Sequence, residues 1–166
     1  RIRTIALVHE TLSREPGDDV AFVEIVRPLL RLVEESLQSP ERPMRFMVIG
    51  DGGRLAATVV TPLSVVLTEL LQNAVDHGFP EGDGGGNVAV RLQVEESELE
   101  IAVIDDGRGI PAGFKLADAK GLGLSIVRTL VTTELAGTIE MRPARAEELA
   151  EVEFVPRDGN TGTVIL

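Results

Sequence analysis

The 166-residue sequence contains no cysteine, which excludes a disulfide-stapled scaffold, a thiol nucleophile and any zinc or iron–sulfur centre held by thiolates. Basic residues are scarce: 16 lysines and arginines stand against 27 acids, for a net charge of -11. Phosphate-mediated binding of nucleic acid depends on Lys and Arg displacing counterions, so the deficit argues against a nucleic-acid partner. No apolar run approaches the ~20 residues that span a bilayer, and no signal-peptide pattern opens the chain, so the expectation is a cytoplasmic domain without direct membrane contact. Internal repeats and low-complexity tracts are also missing. What remains, 43% hydrophobic and 26% charged, is the composition of one globular domain of ordinary size. Glycine is unevenly placed: 10 of the 17 fall between Gly78 and Gly123, where an even spread would put about five, a clustering that suggests loops shaped around a ligand.

The first segment sets Ile2, Ile5, His9 and Leu12 at helical spacing, an amphipathic stripe that begins without a cap. Residues 1–17 are therefore expected to be the end of a longer helical region, and 18–166 a single domain with its motifs within 44–166. After a turn at 14–19, the series Phe22, Ile25, Val26, Leu29, Leu30, Val33 and Leu37 predicts an amphipathic helix that Pro28 should bend or restart. Met44–Ile49 reads as a buried strand closed by Gly50-Asp51-Gly52-Gly53, and residues 54–60 as a short second strand. Thr61-Pro62 is a helix-start signal, a hydroxyl cap followed by proline, for a helix running to about His77 with Gly78 as its terminator. Residues 87–95 and 99–105 alternate as the strands of a hairpin around an acidic turn. Residues 124–135 predict another helix, 138–142 and 161–166 strands, and the acidic connector 144–160 a short helix and a strand near 152–155. These elements are not in strict βαβ alternation, which predicts an α+β fold: a two-layer sandwich with helices on one face of a mainly antiparallel sheet.

Three segments carry chemistry. On the helix ending at Gly78, Val66, Leu67, Leu70, Leu71, Ala74 and Val75 cover one arc, while Glu69, Asn73 and Asp76 line the opposite edge and His77 sits at the boundary. A solvated polar face is the plain alternative for these residues. Next, the strand Ile101-Ala102-Val103-Ile104-Asp105 passes directly into Asp106-Gly107-Arg108-Gly109-Ile110, which puts a carboxylate at a sheet edge beside backbone that a ligand can approach closely. Last, Lys120-Gly121-Leu122-Gly123-Leu124 opens a helix, whose free N–H groups and positive dipole end favour an anion. No Gly-x-x-x-x-Gly-Lys loop occurs and no strand precedes Gly121, so P-loop and dinucleotide fingerprints both fail on context.

Glu-x-x-x-Asn with His at the helix end, Asp-x-Gly-x-Gly after a strand, and Gly-x-Gly-Leu opening a helix, in that order, resemble the ATP-binding domain shared by sensor histidine kinases, DNA gyrase, Hsp90 and MutL. This is the GHKL superfamily, with its Bergerat fold and mixed sheet. The resemblance covers roughly 44–166, including Gly162-Thr163 before the last strand. Leu70 to Gly78 and Gly121 to Val127 look like the histidine-kinase versions, and residues 1–10 are similar to the second dimerisation helix of soluble actinobacterial kinases of the PdtaS type. The resemblance implies ATP and Mg²⁺ as cofactors. It gives Asp105 the exocyclic amine of adenine, which is chemically sensible because guanine would set a carbonyl oxygen against the carboxylate. It further implies that Thr163 supports the same edge, that Asn73 ligates Mg²⁺, and that Asp76 and His77 border the nucleotide. Gly107 and Gly109 would let the chain pass close to it, Gly121, Leu122, Gly123 and Leu124 would cradle its phosphates, and Ile110 to Lys120 would form a lid in which Lys120 contacts phosphate. Glu69 would be the catalytic acid–base or orienting group.

As to partners, the resemblance implies a homodimer through upstream helices and a response regulator receiver domain. His9 lies on the apolar stripe and is expected to pack there, with the phosphoacceptor histidine upstream of Arg1. The isolated fragment is then expected not to autophosphorylate. Two other readings stay open: a GHKL ATPase module, which needs a transducer lysine this sequence does not supply, and an anti-sigma-like module that binds nucleotide only to hold a protein.

Overall fold

The computed structural model describes residues 19–37, 40, 42–79, 85–96, 98–107, 122–151 and 163–165. Chain order runs β1 (Asp19–Ala21), α1 (Val23–Leu37), β2 (Met44–Ile49), β3 (Arg54–Ala56), α2 (Ala57–Gly78), β4 (Gly86–Glu95), β5 (Glu98–Asp105), α3 (Leu122–Thr129), β6 (Met141–Pro143), α4 (Ala146–Glu151) and β7 (Thr163–Ile165). The amphipathic stripe at 1–13 and the strand expected near 152–155 lie outside the described residues.

Five strands form one mixed sheet in the order β2-β4-β5-β7-β6. Only β2 and β4 are parallel, joined across α2, and the other pairs are antiparallel. Strand alternation sorts the side chains. Val88, Val90, Leu92 and Val103 join the main core with Val26 and Leu29 of α1, Leu67, Leu71 and Val75 of α2, and Val127 of α3. Ala89, Ala102 and Ile104 face the other way and meet Leu149 of α4. The expected sandwich therefore holds for α1, α2 and α3, while the short α4 covers the reverse face. Each buried Leu contributes about 1.5–3 kcal/mol of hydrophobic free energy. A separate two-stranded ribbon, β1 with β3, packs through Val20 and Leu55 against Ile25 of α1 and Val60 of α2.

Several boundaries differ from the sequence reading. Helix α2 starts at Ala57, not at Thr61, and the strand before it stops at Ala56. Pro62 thus lies inside the helix and costs it one backbone bond. The extra turn is held by tertiary packing, because Val60 is wholly buried with Val20 and Ile25. Pro28 likewise lies within α1, which is one unbroken helix. Gly78 is the last helical residue rather than a left-handed terminator, with Phe79 as the cap at φ −133. The hairpin closes around Glu96 at φ 50, as a primed turn requires of its first residue. Strand β6 is confined to Met141–Pro143. Helix α2 is the one described helix long and apolar enough to cross a membrane by length and composition, yet it carries Glu69 and Asn73 and packs into the core.

Helix α3 begins at Leu122 and widens at Leu130–Glu134 into a π-helical turn, seen in the bond from the Leu135 N–H to the Leu130 carbonyl at 3.0 Å. The turn ends on Ala136 at φ 49, a left-handed conformation that strains a residue with a Cβ. Ala136→Gly is expected to stabilise the chain by about 0.5–1 kcal/mol, the relief of strain less the greater freedom of glycine when unfolded. Urea unfolding measures this, and an unmoved or lowered midpoint would show no strain at Ala136.

Candidate functional site

The polar residues of α2 do not share one environment. Glu69 is 5% exposed, so it is not the solvated carboxylate that an amphipathic pattern ordinarily carries there. Asn73, one turn further, is half-buried. Its Nδ2 has no surface in contact with solvent and no hydrogen-bond partner. Leaving an amide donor unmade costs about 1–3 kcal/mol, so this side chain is not kept for stability. Asp76 and His77 are exposed.

Asp105 ends β5 at 2% exposure. Its backbone is flanked by Val88 of β4 on one side and Thr163 of β7 on the other. Its Oδ1 accepts the Gly107 N–H at 2.9 Å, a local turn that diverts the chain from the sheet. Directly opposite stands the end of α2: a Cβ placed on Gly78 would lie 3.2 Å from that same Oδ1, and one on Gly107 would overlap the Gly78 carbonyl. Helix and strand exit thus meet backbone to backbone, with glycine on both sides. Glycine serves here for closeness of approach rather than for a left-handed angle.

Asp106 is buried and does different work. Its Oδ1 accepts the Asn87 backbone N–H at 2.8 Å and its Oδ2 the Asn87 Nδ2 at 2.7 Å. In return its own N–H donates to the Asn87 carbonyl at 3.2 Å. The clamp ties the start of β4 to the exit of β5. Beside it, Phe79 packs over Gly86, where any side chain would overlap the ring. Arg42 donates to the carbonyls of Phe79 at 3.3 Å and Leu37 at 3.4 Å, bridging the ends of α2 and α1. Sequence reasoning passed over Asp106 and Asn87. The Asp-Asp doublet was visible, but a partner 19 residues away on another strand obeys no local spacing.

Of the residues singled out in the sequence, the structure brings Asp105, Gly107 and the Thr163 backbone to the end of α2. Helix α3 packs against α2 through Val127, in the same core as Leu70 and Ala74. Leu122, Gly123 and Leu124 form its first turn in backbone. Gly109, Ile110, Lys120 and Gly121 lie outside the described residues. No group of three or more His, Asp or Glu able to hold a metal occurs among the described residues. Mg²⁺ is commonly held by few protein groups together with phosphate oxygens.

A mixed sheet layered under three helices, with an acid at a central strand end against a helix carrying Glu and Asn, defines a GHKL ATP-binding domain. The chain belongs to the histidine kinase-, DNA gyrase B-, and HSP90-like ATPase family, whose profile matches residues 58–165. The sensor histidine kinase PdtaS of Mycobacterium tuberculosis is 39% identical over 166 residues, all of this chain and 33% of that protein. The same-named kinase of Mycolicibacterium smegmatis is 40% identical over 141 residues, 85% of this chain and 28% of that one. The chain spans about a third of the length of these relatives. Among solved structures, the histidine kinase domain of a blue-light activated histidine kinase from Erythrobacter litoralis superposes with a TM-score of 0.74 at 22% identity, covering 99% of this chain and 70% of that one. The catalytic domain of the histidine kinase ThkA superposes at 0.65 with 22% identity, covering 89% and 91%. At such identities the superpositions bear on fold alone.

Proposed function

We propose that the chain is the catalytic domain of a two-component sensor histidine kinase, which binds Mg²⁺·ATP and presents the γ-phosphate to a histidine on a dimerisation helix upstream of Arg1. The observation that carries this reading is the 39% identity to a sensor histidine kinase over all 166 residues, including those before residue 58 where the family profile begins. The module would act in the cytoplasm as part of a homodimer and pass its phosphoryl group, through that histidine, to a response regulator receiver domain.

Asp105 accepts the exocyclic amine of adenine, and Thr163 supports the same edge. Gly107 and Gly109 let the nucleotide lie close to the main chain. The first turn of α3 offers N–H groups to the phosphates, and Gly121 and Lys120, which precede it in the sequence, are its expected companions in that role. The acidity of the region fits this: from Glu69 to Asp106 there are ten acids and one base, Arg91, so phosphate affinity comes from main chain and metal rather than from lysines. Asn73 fits a Mg²⁺ site through its side-chain Oδ1, a neutral oxygen ligand, while its Nδ2, which has no hydrogen-bond partner within the protein, is a donor and takes no part in holding the metal. When bound, the metal neutralises phosphate charge. Glu69, buried one turn away, orients the accepting imidazole or takes its proton, and Asp76 and His77 border the site at its exposed side.

The test is to incubate the chain with radiolabelled ATP and a dimerisation helix carrying the acceptor histidine. Acid-labile, base-stable phosphate on that helix is the expected product. Steady hydrolysis without phosphohistidine would instead favour an ATPase module, and nucleotide binding with neither would favour a module that only holds a partner.

A further inference from the structure

We propose that Gly78 is a specificity-determining positioning residue: the space left by its missing side chain lets Asp105 keep the carboxylate orientation that tells an adenine amine from a 6-carbonyl. The inference rests on the reading of Asp105 as the adenine acceptor. Nothing in the backbone requires glycine at this position. Gly78 is not among the residues with positive φ, it is the last residue of α2, and glycine is a poorer helix former than alanine. What alanine would meet is Asp105, with Oδ1 at 3.2 Å and Cγ at 3.5 Å from the new Cβ.

The surroundings decide which side yields. The strand exit cannot retreat, because the Asp106 clamp on Asn87 holds it through bonds of 2.8 and 2.7 Å. Nor can the helix end swing away freely, since Phe79 is 2% exposed and Arg42 holds its carbonyl. The movable part is the Asp105 carboxylate, now fixed by the Gly107 N–H at 2.9 Å. Turning it redirects both oxygens, and hydrogen bonds weaken steeply with misalignment.

The experiment titrates the 166-residue chain with ATP and with inosine triphosphate, which presents a carbonyl where ATP presents the amine, in the presence of Mg²⁺. Gly78→Ala is expected to lower the preference for ATP at least about fivefold, with inosine triphosphate bound as before. Its urea midpoint should be unchanged or raised, as helix propensity dictates. Equal weakening of both nucleotides, or a wild-type preference, would overturn the proposal. Asp105→Asn, run alongside, separates the two ideas: if it keeps the wild-type preference, the reading of Asp105 fails. If it loses the preference while Gly78→Ala keeps it, only the role of Gly78 fails. A Gly78→Ala chain that does not fold would also overturn the proposal, because the close approach to Asp105 would then serve the fold rather than the reading of the base.

Discussion

Asn73→Ala is expected to abolish magnesium-dependent binding of ATP while leaving the chain folded. The side chain lies off the apolar arc of α2, and its Nδ2 is buried without a hydrogen-bond partner. Deleting it therefore breaks no internal bond, and it relieves one unsatisfied donor. The urea midpoint should stay constant or rise slightly. The loss falls on the metal: Mg²⁺ demands near-octahedral oxygen coordination and takes few protein ligands, so removing one leaves water and phosphate alone to hold it. We expect affinity for ATP in Mg²⁺ to fall about 100-fold or more, because even an outer-shell partner of a metal is worth 10–100-fold. Calorimetry with and without EDTA reads the effect. Wild-type affinity in the variant would remove Asn73 from the metal site, and a fall of equal size in EDTA would assign its role to the nucleotide instead.

The second large effect is expected from Asp105→Asn. The variant keeps an oxygen to accept the Gly107 N–H, so the turn at 2.9 Å survives. It also removes a charge from a residue 2% exposed, which relieves desolvation and should not unfold the domain. What changes is the face offered to the base. A hydrogen bond to a charged acceptor is worth about 1.5–3 kcal/mol, so the preference for ATP over GTP should fall about 10- to 150-fold. Competition between the two nucleotides measures it. A retained preference would mean that the base is read elsewhere, and a general loss of binding with lost secondary structure would assign Asp105 to the fold.

How far the sequence could be read depended on the range of each signal. The hairpin of β4 and β5, the strand Met44–Ile49 and the apolar arcs of α1 and α2 follow from periods of 2 and 3.6, which any local stretch displays. Turn chemistry is also local, and so is the clustering of glycine that drew attention to the segment from Gly78 to Gly123. Thr61-Pro62 misled about the start of α2 because the winning interaction, Val60 against Val20 and Ile25, joins residues some forty positions apart. Gly78 carried a signal with two meanings. A glycine after a helix ordinarily supplies a left-handed angle, and only the structure shows that here a Cβ would come within 3.2 Å of Asp105 Oδ1 instead.

By itself the sequence determined the element types and the three motif segments, since composition and spacing are properties of the chain alone. Tertiary structure decided which acids do what. Glu69 is buried although its helical position is polar, Asp106 is spent on Asn87, and Asp105 is seated between a central strand end and a helix end that touch without side chains. These assignments turn on burial and on partners 19 or more residues away, and neither is a function of sequence distance, because packing sets them only when the sheet order β2-β4-β5-β7-β6 brings the segments together.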